Sequence, residues 1–130
     1  MKIYVAGKFE KKEVILDIYK KIQSMGHSVA YDWTTHKNIK PYAQNSQIAS
    51  CYSSNEIAGI SDCDVFIYLS DDKGHTLHME FGAAMALAKK TGKPLIFAVG
   101  EHNDKSPWFF NTLVRRMNSA DEVLEELRKM

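Results

Sequence analysis

The chain has 130 residues, of which 45% are hydrophobic and 25% are charged. This is the composition of a single globular domain, residues 1–130, with its own hydrophobic core. Its 17 basic and 16 acidic residues give a net charge of +1, which argues against a nucleic-acid polymer as the partner. No apolar run reaches the ~18 residues of a membrane span, and the first residues become polar too early for a secretory signal. We therefore expect a cytoplasmic protein that does not enter membranes.

The first half of the chain alternates between short apolar runs and segments with apolar residues at helical spacing. Gly7 follows the first apolar run, and Gly59 stands where a helix would close. In chain order we predict a strand over 2–6, a helix over about 11–25, a strand over 27–33 and a polar helix over about 41–58.

The second half contains the clearest strand, the continuous apolar run from Val65 to Leu69. A run of this length suits a strand that is buried on both faces. Ser119 and Glu122 have the spacing of a capping box, which marks the start of the last helix. We predict strands over 64–70, 95–99 and 113–117, a helix over 76–91, and an irregular or short helical stretch over 107–112.

Alternating strands and helices favour right-handed βαβ units and a parallel sheet that is covered on both faces. Five strands in one small domain predict a three-layer α/β sandwich with the flavodoxin-like strand order 2-1-3-4-5. Ligands of such sheets bind beyond the carboxyl ends of the strands, where the strand order reverses. This rule points to the loops 7–10, 33–40, 71–76 and 100–107.

Glu80 is out of place in the helix that follows the third strand. It shares a helical stripe with the apolar residues Leu77, Phe81 and Ala84, and that stripe should pack against the sheet. We place Glu80 in the first turn, near the ligand end of the sheet, with small residues after it that let the helix approach the sheet closely. A poorly hydrated carboxylate there is a competent nucleophile at carbon. The alternative is an exposed Glu that interacts only with solvent and the helix dipole.

The sequence contains no recognisable metal or cofactor motif. Cys51 and Cys63 are too few for a disulfide framework or a zinc site. His75, His78 and His102 lack the spacing of a metal-binding helix. The first loop has a single glycine, so a dinucleotide fingerprint and a phosphate-binding P-loop are both missing. We therefore expect neither a metal nor a cofactor.

Four segments resemble the nucleoside 2-deoxyribosyltransferase superfamily, which includes the 2'-deoxynucleoside 5'-phosphate N-hydrolases. The resemblance covers about residues 2–117. It is carried by residues 3–9, 56–60 and 62–67, and most densely by 74–84, whose Met-Glu-x-Gly core follows a buried strand and a polar loop.

The resemblance implies a role for several residues. The residue matching Glu80 attacks the anomeric carbon of the sugar, and the tyrosine matching Tyr4 orients it. An acidic residue at the place of Glu56, usually Asp, contacts the ribose or the base-side network. The residue matching Asn111 is lent to the neighbouring subunit's site, which implies a homodimer or a higher homo-oligomer. Tyr4 as a core aromatic residue and Glu56 as a solvated helix residue remain the alternatives.

The loop before Glu80 departs from both branches of the family. Gly74 stands where the transferases have Asp and the phosphate-dependent hydrolases have Ser. Asp72, two residues earlier, is the candidate to replace that Asp as an acid. Lys8 stands where the hydrolases bind the 5'-phosphate, and a cation at the end of a strand suits a phosphate. An exposed loop lysine is the alternative reading of Lys8.

The same resemblance places Gly7 and Phe9 beside the substrate, in the loop after the first strand. Trp33 lies at the ligand end of the predicted second strand, where its ring could stack on a nucleobase. A core or interface role for Trp33 is equally compatible with the sequence. Residues 35–55 match no pattern.

The sequence thus predicts an enzyme that cleaves the N-glycosidic bond of a small nucleoside, deoxynucleoside or 5'-monophosphate. Glu80 would form a glycosyl ester that water or an acceptor base then resolves. Asp72 or Glu56 would give the leaving base its proton. Two alternatives stay open, an NAD-cleaving enzyme similar to TIR domains and a non-catalytic nucleotide-binding or signalling module on the same fold.

Overall fold

The computed structural model describes residues 1–130 as a five-stranded parallel sheet with helices on both faces. The strands are β1 (Lys2–Ala6), β2 (Ser28–Val29), β3 (Val65–Leu69), β4 (Leu95–Val99) and β5 (Val114–Met117). The helices are α1 (Lys12–Ser24), α2 (Ser46–Asp62), α3 (Thr76–Thr91) and α4 (Ala120–Arg128). The strand order is β2-β1-β3-β4-β5, which confirms the predicted flavodoxin-like sheet.

The sheet is the middle layer of a three-layer sandwich. Helices α2 and α3 pack against each other on one face. On the other face α1 lies beside α4, where Lys21 Nζ is 3.2 Å from a carboxylate oxygen of Asp121. Every residue of β3 is buried, as the continuous apolar run requires. In the register of the central strands, Tyr4 of β1 stands beside Phe66 of β3, with the two rings stacked at 5.6 Å.

The second strand is much shorter than predicted, because it pairs only over Ser28–Val29. The Asp32 side chain accepts a hydrogen bond from the Thr34 backbone N–H at 2.9 Å and so begins a short 3-10 helix over Trp33–Thr35. The Trp33 indole N–H donates to the Val5 carbonyl oxygen at 2.7 Å. These contacts turn the chain away from the sheet before the predicted end of the strand.

The second helix starts and ends later than predicted. The Asn45 side-chain amide donates to the carbonyl oxygens of Ile39 at 2.9 Å and Pro41 at 3.3 Å, which holds the preceding segment in a loop. Gly59 does not close α2 but lies inside it. A Cβ at Gly59 would lie 2.6 Å from Tyr31 Cβ and 3.3 Å from the Tyr4 ring. The missing side chain therefore lets α2 approach β1.

Helix α3 has the predicted bounds, but two details differ. Glu80 is its fifth residue and so lies just past the first turn, where the helix dipole acts more weakly. Gly82 does not serve a close approach to the sheet, because a Cβ there would meet only Trp108, at 3.9 Å. Glu80 itself is buried, as its place on the apolar stripe predicts. No helix of the protein is long and apolar enough to cross a membrane.

The two helical glycines allow a matched test of this packing. Gly59→Ala should lower the free energy of unfolding by at least ~1–3 kcal/mol, since the new Cβ overlaps Tyr31. Gly82→Ala should raise it by about 0.5–1 kcal/mol, since the new Cβ fits and Ala is the better helix former. Urea unfolding measures both changes. Equal stabilisation by the two substitutions would contradict the close approach of α2.

Candidate active site

A cleft of about 1180 Å³ opens at the carboxyl ends of β1 and β3. This is the point at which the strand order reverses, because β2 lies on one side of β1 and β3 on the other. One wall is formed by the loop after β1 and the start of α3, and the opposite wall by residues 33–53 and α2. Glu56 and Glu80 both line the cleft.

Tyr4 and Glu80 are joined by a buried hydrogen bond. The Tyr4 hydroxyl donates to Glu80 Oε2, Tyr4 is fully buried, and Glu80 is 8% exposed. Burial and the Glu80 charge both raise the pKa of Tyr4 far above its usual range, so the phenol stays a neutral donor. The bond fixes one carboxyl oxygen of Glu80, Oε2.

Glu56 lies against the same carboxyl, so that two acids share one site. Burial raises the pKa of Glu80 to about 8, the Tyr4 hydrogen bond opposes this shift, and the negative charge of Glu56 adds to it. Burial also raises the pKa of Glu56, although its hydrogen bond with Glu80 opposes that shift. Two carboxylates in contact cannot both ionise easily, so the pair holds one shared proton near neutral pH.

His36 lies beside Glu56, on the same wall of the cleft as α2. Its Nδ1 is 4.0 Å from Glu56 Oε1, and its Nε2 is hydrogen-bonded to the Tyr31 hydroxyl at 2.6 Å. The imidazole stacks on the Tyr52 ring with 3.8 Å between centroids and 3° between planes. Burial lowers the pKa of His36, although the nearby charge of Asp32 opposes this shift. The imidazole is therefore neutral at neutral pH.

Lys8, the candidate phosphate ligand, lines the cleft and has an acidic partner. Its Nζ is 3.7 Å from Asp71 Oδ1, and Lys11 Nζ is 3.6 Å from Asp71 Oδ2. Gly74 has a φ of +115°, and a Cβ there would lie 2.8 Å from Leu77 and 3.8 Å from Lys8. Gly74 therefore serves the backbone turn beside Lys8.

The other residues of the first loop and Trp33 also reach the cleft. Gly7 and Phe9 line it, with Phe9 40% exposed. Trp33 contributes to the lining but is only 6% exposed, and its indole N–H is bound to the backbone of Val5. Most of the Trp33 ring is therefore packed in the core, which leaves little of its face for a nucleobase.

Two predicted residues lie outside the cleft of their own chain. Asp72 is an exposed residue of the loop after β3 and does not line the cleft. Asn111 is also exposed, and its side-chain oxygen accepts from the Leu113 backbone N–H at 3.0 Å. Glu56 is thus the acid next to Glu80, and the assignment of Asn111 to a partner subunit's site stays a prediction.

The structure also gives a place to the segment that the sequence left unassigned. His36 and the serines Ser46, Ser50 and Ser53 form the wall facing Glu80. The serines and Glu56 are spaced i, i+4, i+7 and i+10, so one face of α2 is polar and lines the cleft. That spacing is visible in the sequence, whereas His36 could be found only from the fold. No group of three or more His, Cys, Asp or Glu is placed to hold a metal ion.

These features define a flavodoxin-like α/β domain with a paired-carboxyl cleft at its switch point. No family model matches the chain, and no curated protein matches it in sequence. Among solved structures it is similar to the CMP N-glycosidase BcmB of Clostridium botulinum. The two share 18% sequence identity with a TM-score of 0.61, over 100% of each chain. At this identity, the likeness shows a common fold.

The raised pKa of Glu80 predicts a pH-dependent cost in stability. Between about pH 4.5 and 8 the unfolded chain releases this proton while the folded pair of Glu80 and Glu56 keeps it as its shared proton, so the free energy of unfolding falls as pH rises. Glu80→Gln removes this term, so its melting temperature should exceed that of wild type by an amount that grows from pH 4.5 to 8 and then levels off. Calorimetry across this range measures the difference.

Glu13→Gln, at an exposed position on α1, controls for the loss of one negative charge. A constant difference between Glu80→Gln and wild type, or a less stable Gln variant at pH 8, would contradict the buried acid pair.

Proposed function

We propose that this protein is an N-glycosidase of the nucleoside 2-deoxyribosyltransferase superfamily, acting on a nucleoside or its 5'-monophosphate. The observation that carries the proposal is the buried pair of Glu80 and Glu56 at the switch-point cleft, with Tyr4 bonded to the nucleophile. One carboxylate to attack and one carboxylic acid to protonate are what a retaining cleavage needs. The likeness to a CMP N-glycosidase in fold, and the Met-Glu-x-Gly resemblance, support the same chemistry.

In the first step, a free oxygen of the Glu80 carboxylate attacks C1' of the sugar. The C1'–N bond breaks, its electron pair stays on the base nitrogen, and Glu56 supplies the proton that makes the base a neutral leaving group. The products are a glycosyl ester on Glu80 and the free base. Tyr4 holds the other oxygen of Glu80 throughout and so keeps the attacking oxygen aimed into the cleft.

In the second step, the Glu56 carboxylate takes a proton from water as the water oxygen attacks C1'. The ester bond breaks, Glu80 leaves as a carboxylate, and Glu56 is again protonated. An acceptor base in place of water would give transfer by the same route. Either outcome restores the pair with its single proton, so the cycle uses no external acid and no cofactor.

A homodimer fits this proposal, with Asn111 reaching the site of the partner subunit as the family resemblance implies. Asn111 is exposed at the end of the 3-10 helix Pro107–Phe110, next to the exposed rings of Trp108 and Phe110. NAD cleavage, which also breaks a ribosyl–nitrogen bond, and non-catalytic nucleotide binding are the competing functions, and both are outcomes of the test below.

Chromatography of nucleosides, 5'-monophosphates and NAD incubated with the protein, with and without an acceptor base, should show a free base released from a nucleoside or monophosphate. Glu80→Gln should keep the fold, because the two side chains have nearly the same shape, and lose at least ~10³-fold in rate. Nicotinamide release from NAD alone would favour the TIR-like function. Binding without any base release would favour a nucleotide-binding module.

Lys8 should select for a 5'-phosphate if the substrate is a monophosphate. A charge-assisted contact is worth about 1.5–3 kcal/mol, or about one to two powers of ten in affinity. Lys8→Met should therefore lower the preference for monophosphate over nucleoside, measured as a ratio of kcat/KM, by at least ~10-fold, with nucleoside turnover little changed. Lys89→Met, which alters an exposed lysine outside the cleft, is the control. An unchanged ratio would mean that Lys8 does not bind the phosphate and only forms an ion pair with Asp71.

A further inference from the structure

We propose that His36 is a positioning residue: its Nδ1 accepts a hydrogen bond from the protonated Glu56 carboxyl, which holds the shared proton on Glu56 and leaves Glu80 ionised for attack. The proposal rests on the proposed function, since it concerns the same carboxyl pair. His36 belongs to no motif of the sequence, and it reaches the pair through the loop that follows the short 3-10 helix Trp33–Thr35.

The contacts of the imidazole fix its orientation. The stack on Tyr52 holds the plane of the ring, and the bond at 2.6 Å to the Tyr31 hydroxyl holds its Nε2 edge. With Nε2–H donating to the Tyr31 oxygen, Nδ1 is an acceptor, and it lies 4.0 Å from Glu56 Oε1. This distance exceeds that of a hydrogen bond by about 1 Å, so the hydrogen bond requires the Glu56 side chain to move toward the imidazole when substrate binds.

The carboxyl pair needs such a partner because its proton is otherwise on the wrong acid. Glu80 is the more deeply buried of the two, so burial favours its neutral form, which is not a nucleophile. A neutral imidazole that accepts from Glu56 stabilises the protonated form of Glu56 instead. The pair then holds the arrangement that the reaction needs, a Glu80 carboxylate beside a Glu56 acid.

Titratable groups face His36 and the pair from every neighbouring element. Asp32 and Tyr31 precede the imidazole in the chain, Tyr52 and Glu56 face it from α2, and Tyr4 and Glu80 lie behind Glu56 on β1 and α3. Among these groups, only His36 can offer Glu56 a neutral nitrogen acceptor. The three tyrosines offer hydroxyl groups, and Asp32 and Glu80 are carboxyls.

Three variants at this position separate the contacts of the imidazole. His36→Phe keeps the stack on Tyr52 and loses both polar contacts. His36→Asn places an amide oxygen near the Nδ1 position, and His36→Gln extends toward Tyr31 instead. We expect His36→Phe to lower kcat at least ~10-fold with KM within about 2-fold, and to move the acid limb of the pH profile to higher pH. His36→Asn should recover at least about a third of the lost rate, and His36→Gln should recover little.

A second measurement needs no substrate. Imidazole nitrogen NMR of the ¹⁵N-histidine-labelled wild-type protein at pH 8 should show His36 as the Nε2–H tautomer, with its signal assigned by its loss in His36→Gln. The Nδ1–H tautomer would overturn the proposal, because Nδ1 would then be a donor. So would a His36→Phe variant with wild-type kcat, or equal activity of the Asn and Gln variants.

These results distinguish the proposal from the function on which it rests. Absence of base release by the wild-type protein refutes the N-glycosidase function. Base release by wild type together with an unaffected His36→Phe variant refutes the role of His36 and leaves the function standing.

Discussion

The buried hydrogen bond from Tyr4 to Glu80, with Glu56 against the same carboxyl, is the interaction around which the site is organised. Burying two acids costs free energy unless they find partners, and here three elements must converge to supply them. β1 brings the Tyr4 phenol, α3 the Glu80 carboxyl and α2 the second acid, Glu56. Gly59 lets α2 come close enough, since a side chain there would strike Tyr31 and the Tyr4 ring. Packing and proposed chemistry thus depend on the same contact.

The fold was largely predictable because its signals are local. The apolar run of β3 and the alternation of strands with helices are enough to predict a parallel sheet of order 2-1-3-4-5. The errors lie where a side chain binds a backbone group that the local pattern does not reveal. The Asp32 side chain accepts a hydrogen bond from the Thr34 backbone, which ends the extended segment early. The Asn45 side chain donates to the Ile39 carbonyl oxygen and keeps the preceding residues in a loop, so α2 begins later than predicted. Such bonds depend on how the chain has already folded.

The site was predictable only in part. A Glu on an apolar stripe is a physical anomaly that a helical wheel reveals, so Glu80 could be found from its own segment. Tyr4 and Glu56 look like ordinary core and helix residues, and only a family resemblance singles them out. His36 has no local signal, because its meaning comes from Tyr52 and Glu56, which the fold brings to it from α2.

Under the proposed function, the charges around the cleft affect both the ionisation of Glu80 and the binding of a phosphorylated substrate. A phosphate bound near the carboxyl pair would raise the pKa of both acids further and so oppose the ionisation of Glu80. Three lysines line the same cleft, namely Lys8, Lys37 and Lys40. A phosphate that draws Lys8 from Asp71 leaves that carboxylate with Lys11, its second partner at 3.6 Å. Lys8 then offsets the negative charge of the phosphate, and Asp71 keeps its ion pair with Lys11. The phosphate therefore opposes the ionisation of Glu80 less than it would without Lys8.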